Sequence, residues 1–139
     1  MSYCSQQDLV ERYGETELVQ LTDKTGSGEI DAQIVANAIA DADSEIDDRL
    51  GSRYKTPIRP VTRSLVRVAC DIARYYLYDD HATEHVAERY KNAVKFLDGV
   101  ASGKISIGID AAGARPESNN SAQMVSGGNV FNRRDKSFI

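Results

Sequence analysis

The amino-acid sequence predicts an all-α protein, a small bundle of four to five helices with a short extended segment and a flexible C-terminal tail. Three observations carry that expectation. Apolar residues recur at i, i+3 and i+4 through most of the first hundred positions. Capping residues, Gly and Pro punctuate that pattern at helix-length intervals. The periodicity then stops near residue 112. The expected organisation is a helical body over 1–111 and a tail over 112–139 that ends in a docking segment.

Ser5, with Asp8 three residues later, reads as a helix N-cap, and Leu9 and Val10 open the first apolar face. Gly14 closes that short helix as a left-handed cap. "ETELVQLTD" supplies a second short helix carrying Leu18, Val19 and Leu21. The longest helix spans about 31–51: Ile34, Ala38, Ala42, Ile46 and Leu50 recur every four residues, and Val35 and Ile39 widen the stripe. Between them stand Asp41, Asp43, Glu45, Asp47 and Asp48, read as a solvated acidic face. Pro57 and Pro60 bar continuation, because each lacks the amide proton and fixes φ.

The next helix, about 62–79, is the most apolar and is the expected centre of the core. Leu65, Val68, Ala69, Ile72, Tyr75 and Tyr76 share one face. Arg63, Arg67 and Arg74 are interleaved with these positions and are expected to pair with the acidic helix, within or between subunits. Thr83 caps a last helix to about 101, with Val86, Tyr90, Ala93, Val94, Leu97 and Ala101 inward. "SGKISIGID" ends it at Gly103 and adds the short extended segment. Beyond it "AGARPESNNSAQMVSGGNV" is rich in Gly, Ser and Asn and is expected to be flexible or ordered by a partner.

Charge separates body from tail. The chain carries 17 basic and 21 acidic side chains, a net −4. Residues 112–139 hold four basic and two acidic side chains, so the tail is +2 and the body −6. A negative body argues against nucleic-acid binding through phosphate neutralisation. The tail's Val130, Phe131, Arg133, Arg134, Phe138 and Ile139 form an apolar, basic peptide suited to docking on a partner.

Two cysteines, Cys4 and Cys70, far apart and outside any CxxC pair, argue against a disulfide framework or a zinc site, and Cys70 reads as a buried hydrophobe. The N-terminus has neither the basic nor the apolar region of a signal peptide. No apolar run approaches the roughly 18 residues of a membrane span. The expected place is the cytoplasm, or something assembled there, with no membrane partner.

Two motifs invite a chemical reading. "DKTGSGEID" follows the order of a calcium loop: Asp23, Thr25, Ser27 and Asp31 fall at ligand positions 1, 3, 5 and 9, with Gly28 at 6 and Ile30 at 8. Thr and Ser replace carboxylates, however, and Ile34 stands where a bidentate Glu closes the shell. The expected role is therefore an interhelical turn with Asp31 capping the long helix, without a metal. The alternative is a calcium-binding helical module, which predicts a stability shift on adding calcium. "HATEH" (His81 to His85) spells H-x-x-E-H, but His81 falls in a loop and no third ligand follows, so zinc catalysis lacks its shell. No nucleophile elbow, phosphate loop or Cys/His pairing is present, and the expectation is a protein that is not an enzyme and needs no cofactor. A small DNA-binding regulator is a further alternative, opposed by the net charge.

The segments "DLVERYGETELVQLTD" (8–23), "GEIDAQIVANAIADADSEIDDRLGSRY" (28–54), "LVRVACDIARYYLYDD" (65–80), "RYKNAVKFLDGVASGKISIGID" (89–110) and the closing "NVFNRRDKSFI" together resemble the Mu-like prophage head–tail connector (adaptor) proteins. The resemblance implies a helical bundle that completes the phage head, assembling as a homo-oligomeric ring between the portal and a tail-side connector or terminator protein. Rings of twelve are usual among related adaptors. It implies no chemistry, double-stranded DNA passing through without specific binding, and final residence at the head–tail junction of the virion. The family's loop often has more Asp where this sequence has Thr25 and Ser27.

Overall fold

A computed structural model describes residues 2–108 of the chain. Within them five helices follow one another with no strand: α1 (Gln6–Tyr13), α2 (Glu15–Thr22), α3 (Ala32–Leu50), α4 (Arg63–Tyr78) and α5 (Glu84–Ala101). The tail over 112–139, with Val130, Phe131, Arg133, Arg134, Phe138 and Ile139, lies outside the described residues.

Local chemistry sets each helix start. The Ser5 hydroxyl accepts from the Asp8 amide while the Asp8 carboxylate accepts from the Ser5 amide, a reciprocal capping box. Asp31 accepts from the amides of Gln33 and Ile34, Thr62 from that of Leu65, and Thr83 from that of Val86. Gly14 departs from expectation. Its φ of 95° comes with a ψ of 147°, so it is not a left-handed helical cap. That conformation, open mainly to glycine, lets one residue both end α1 and begin α2.

Helix α4 lies at the centre, packed against all four other helices. Its Leu65, Val68, Ala69, Cys70, Ile72 and Ala73 are fully shielded. From α3 come Val35, Ala38, Ile39, Ala42, Ile46 and Leu50, and from α5 Val86, Ala93, Leu97 and Val100. Tyr75, Tyr76 and Tyr90, expected on the inner faces, are only half-buried, because their hydroxyls and rings work at the seam between helices. Cys4 joins Cys70 in the core, and both are free thiols.

The extended segment expected after Gly103 is instead a turn followed by bends. The amides of Lys104 and Ile105 both donate to the Gly99 carbonyl at 2.9 and 3.1 Å. The fold-back lays Ile105 on the bare Gly99, where a Cβ would come within 2.5 Å of its Cδ1, and carries Ile107 into the core. The α4 arginines also go elsewhere than α3. Arg74 makes a two-pronged contact with Glu17 of α2, at 2.7 and 3.1 Å, and its guanidinium lies 4.2 Å from the centre of the Tyr13 ring. Arg67 sits over Phe96 of α5, and Arg63 is exposed.

Truncating the α3 side of this core tests its packing. Ile46→Ala removes a side chain with no exposed surface and is expected to cost about 2–5 kcal/mol in denaturant unfolding. Asp48→Ala, on the exposed side of the same helix, is expected to stay within about 0.5 kcal/mol.

Candidate functional site

The loop that resembles a calcium site is closed by its own backbone. Asp23 Oδ1 accepts from the amides of Thr25, Gly26 and Ser27, at 3.3, 3.0 and 3.0 Å, and Oδ2 accepts from that of Gly28 at 2.7 Å. The Thr25 and Ser27 hydroxyls face Oδ1 at 3.5 and 3.3 Å. The Gly28 amide first, then those of Ser27 and Gly26, hold the Asp23 carboxyl below its ordinary range. Gly26 and Gly28 have φ of 81° and 79°, which lets the chain wrap around one carboxylate. Asp31 is committed to capping α3, and its own amide donates to Thr22 Oγ1 at 2.9 Å. Ile34 is half-buried against the core, as its place in the apolar stripe requires. Among the described residues no cluster of three or more His, Cys, Asp or Glu is arranged to hold a metal ion.

The remaining sequence candidates do not converge. His81 lies in a 3-10 turn beside Asp80, outside α5, whereas His85 and Glu84 are exposed in its first turn. The Cys4 thiol touches Cys70, and that contact together with burial pushes its pKa well up, so at neutral pH it stays protonated.

What the sequence reading missed is the work done by the carboxylates. The supposed solvated face of α3 is divided. Glu45 accepts from the hydroxyls of Tyr76 and Tyr90 and from Arg49, which also reaches Asp98 of α5. Asp43 accepts from the Tyr3 amide and Asp47 from the Tyr3 hydroxyl, at 2.9 and 2.5 Å. The Tyr3 hydroxyl in turn accepts from the Ile58 amide at 2.9 Å. Asp71 in the middle of α4 is 4% exposed, and one of its oxygens accepts from Tyr13 at 2.6 Å and Arg89 at 3.0 Å. Signals for both were present. Glu45 falls three residues after Ala42, at the edge of the apolar stripe, and Asp71 interrupts the most apolar run of the chain.

The outer acids of α3 are left facing solvent and line a groove. One section, about 540 Å³, is lined by Asp41, Ser44, Glu45, Asp48, Arg49 and Tyr76. A second section, about 230 Å³, shares Asp41 and Tyr76 and continues to Leu21, Ile34, Ala38 and Leu77, with Lys24, Asn37 and Asp79 also lining it. The groove thus has an acidic half and a half in which an apolar patch stands among polar side chains. It sets carboxylates beside apolar side chains, and its lining residues bring together no nucleophile, base and oxyanion donor.

Removing the acceptor at the seam should expose its cost. Glu45→Ala strands the Tyr76 and Tyr90 hydroxyls and Arg49, and is expected to lose about 1–3 kcal/mol in denaturant unfolding. The tyrosines also set an alkaline limit. Burial first, then the hydrogen bond to Asp47, pushes Tyr3 up to about 12. Burial and carboxylate partners likewise raise Tyr13, Tyr76 and Tyr90. Because these pKa values are raised in the folded state, their stabilisation is full below the ordinary value of about 10 and drains away as pH rises through the folded values. Phenolate absorbance and helix circular dichroism followed together are expected to show these tyrosines ionising only as the helices melt.

Comparison with known proteins places the chain. The family model described as Bacteriophage Mu, Gp36 matches residues 3–126. The Mu-like prophage FluMu protein gp36 of Haemophilus influenzae is 37% identical over 138 residues, covering 99% of this chain and 98% of that protein. Gene product J of Escherichia phage Mu is 36% identical over 141 residues, covering both chains in full. With the family pattern running through all five helices and both relatives matched almost end to end, the chain belongs to the bacteriophage Mu Gp36 family of phage proteins.

Proposed function

We propose that this protein is a structural component of the virion, a head–tail connector subunit that forms a ring on the portal and presents its other side to a tail-side connector or terminator protein. The observation that carries the reading is the near end-to-end relation to two Mu-type phage proteins, taken with the connector-like segments "ACDIARYYLYDD" and "FLDGVASGKISIG".

The physical features agree with it. Several carboxylates of the body tie one helix to another through arginines and tyrosines, which suits a scaffold. The acids left over, among them Asp41, Asp48, Asp79 and Asp80, are exposed. A body at −6 repels DNA phosphates and so lets the duplex pass a ring without sticking. No described helix is long and apolar enough to cross a membrane. The ring closes by heterologous contacts between identical subunits, twelve in related adaptors, and the tail residues Val130, Phe131, Arg133, Arg134, Phe138 and Ile139 provide the clasp.

Phage lacking the gene are expected to accumulate DNA-filled heads and separate, complete tails, seen by electron microscopy of lysates; tailed infectious particles made without the protein would sink the reading. Deleting residues 112–139 is expected to leave helix content and the unfolding midpoint nearly unchanged, because the core lies within residues 2–108, while incorporation into particles is lost.

A further inference from the structure

The groove along α3 has no occupant in the described chain, and its two halves match the two kinds of side chain that the C-terminal segment carries. We infer that it receives the Phe131–Phe138 segment of a neighbouring copy, with Arg133 and Arg134 against Asp41 and Asp48 and an aromatic ring on the apolar patch. This inference rests on the ring reading above and names the surfaces that join its subunits.

Spacing supports the match. Ile34, Asp41 and Asp48 are seven residues apart and so lie along one side of α3, roughly 10 Å from one to the next. Phe131 and Phe138 bracket the arginines at two to five residues, and an extended chain covers about 3.3 Å per residue. Either ring therefore reaches the pocket of Leu21, Ile34 and Leu77 while an arginine stands at Asp41. Tyr76 lines both halves, and a guanidinium is attracted to the face of such a ring.

Charge also favours this occupant. The tail is +2 and the body −6. Asp41 and Asp48 are exposed, unlike Glu45, which the tyrosines and Arg49 already hold. Two cations border the groove: Arg49, whose charge is met by Glu45 and Asp98, and the exposed Lys24, which shares its section with the exposed Asp41 and Asp79. Reach is not limiting. The roughly twenty residues between Gly108 and Val130 extend to at most about 70 Å, enough to cross to an adjacent subunit.

The test uses three full-length proteins: the natural chain, a tail variant (Arg133→Glu with Arg134→Glu) and a groove variant (Asp41→Lys with Asp48→Lys). Solution mass is followed against concentration by analytical ultracentrifugation. The natural protein is expected to self-associate, and in each variant alone the midpoint should move upward by roughly tenfold or more, since like charges then face each other. Mixing the two variants should restore assembly, because each tail meets a groove of opposite sign only on the other protein. Docking within one chain cannot produce that rescue. Helix circular dichroism confirms that each variant is folded, and the tail variant changes no residue of the described body.

A natural chain that stays monomeric, variants that assemble as well as it does, or a mixture that assembles no better than its parts would each overturn the inference. If the tail variant assembles normally but no longer joins heads to tails, the segment binds the portal and not a copy; the inference then fails while the connector reading stands. The connector reading itself falls only on the gene-deletion result.

Discussion

Everything in this bundle depends on finding acceptors for hydroxyl and guanidinium groups that the packing leaves half-buried. Stranding such a group costs about 1–3 kcal/mol, a large share of the 5–15 kcal/mol by which domains are stable. Helix α3 supplies several of the acceptors. Glu45 gathers Tyr76 of α4, Tyr90 of α5 and Arg49, whose other contact is Asp98. Asp43 and Asp47 hold Tyr3 of the N-terminal segment, and Tyr3 holds the Ile58 amide of the loop after α3. One helix therefore helps to fix the positions of the two helices beside it, of the N-terminal segment and of the loop between α3 and α4.

Asp71 does for the interior what Glu45 does for the seam. A buried carboxylate is tolerated only when its charge is paired and its lone pairs are occupied. Tyr13 and Arg89 supply a hydroxyl and the pairing charge at its Oδ1 from α1 and α5, on opposite sides of α4 in sequence. The demand is specific in a way that apolar packing is not. Leucine tolerates many neighbours, but Asp71 accepts only a geometry that presents a hydroxyl and a guanidinium at once. Arg74 adds a third tie, to Glu17, so α2 is held by a bidentate ion pair as well as by Leu18 and Thr22 in the core.

These ties explain what was legible in the sequence. The apolar stripes of α3, α4 and α5 and the caps Ser5, Asp31 and Thr83 are local patterns, and the helices fall within a residue or so of where those patterns end. The loop's role as a turn was legible too, because Ile34 could not serve both an ion and the core. Partner choice was not. Arg74 was expected on the acidic helix, but that expectation weighed only charge, whereas Glu17 is held within reach by the packing of α2 on α4. Glu45 was read as solvated because its polarity was visible and its position at the stripe's edge was given no weight. Long-range pairings such as Tyr13 with Asp71, 58 residues apart, exist only once the bundle has closed.

The division of α3 into inner and outer acids then bears on assembly. Inner acids already accept from Tyr3, Tyr76, Tyr90 and Arg49, so they serve to hold shape. Outer acids are exposed, and a single pair formed there is worth only about 0–1 kcal/mol and weakens with salt. A subunit joined by one such contact would fall off. In a closed ring of the proposed kind every subunit gives one segment and receives another, so loss of a subunit breaks two contacts at once and the second is held at the high effective concentration set by the first. Weak, charge-based clasps are then an advantage. They let misplaced subunits dissociate during assembly, and only closure makes the set durable.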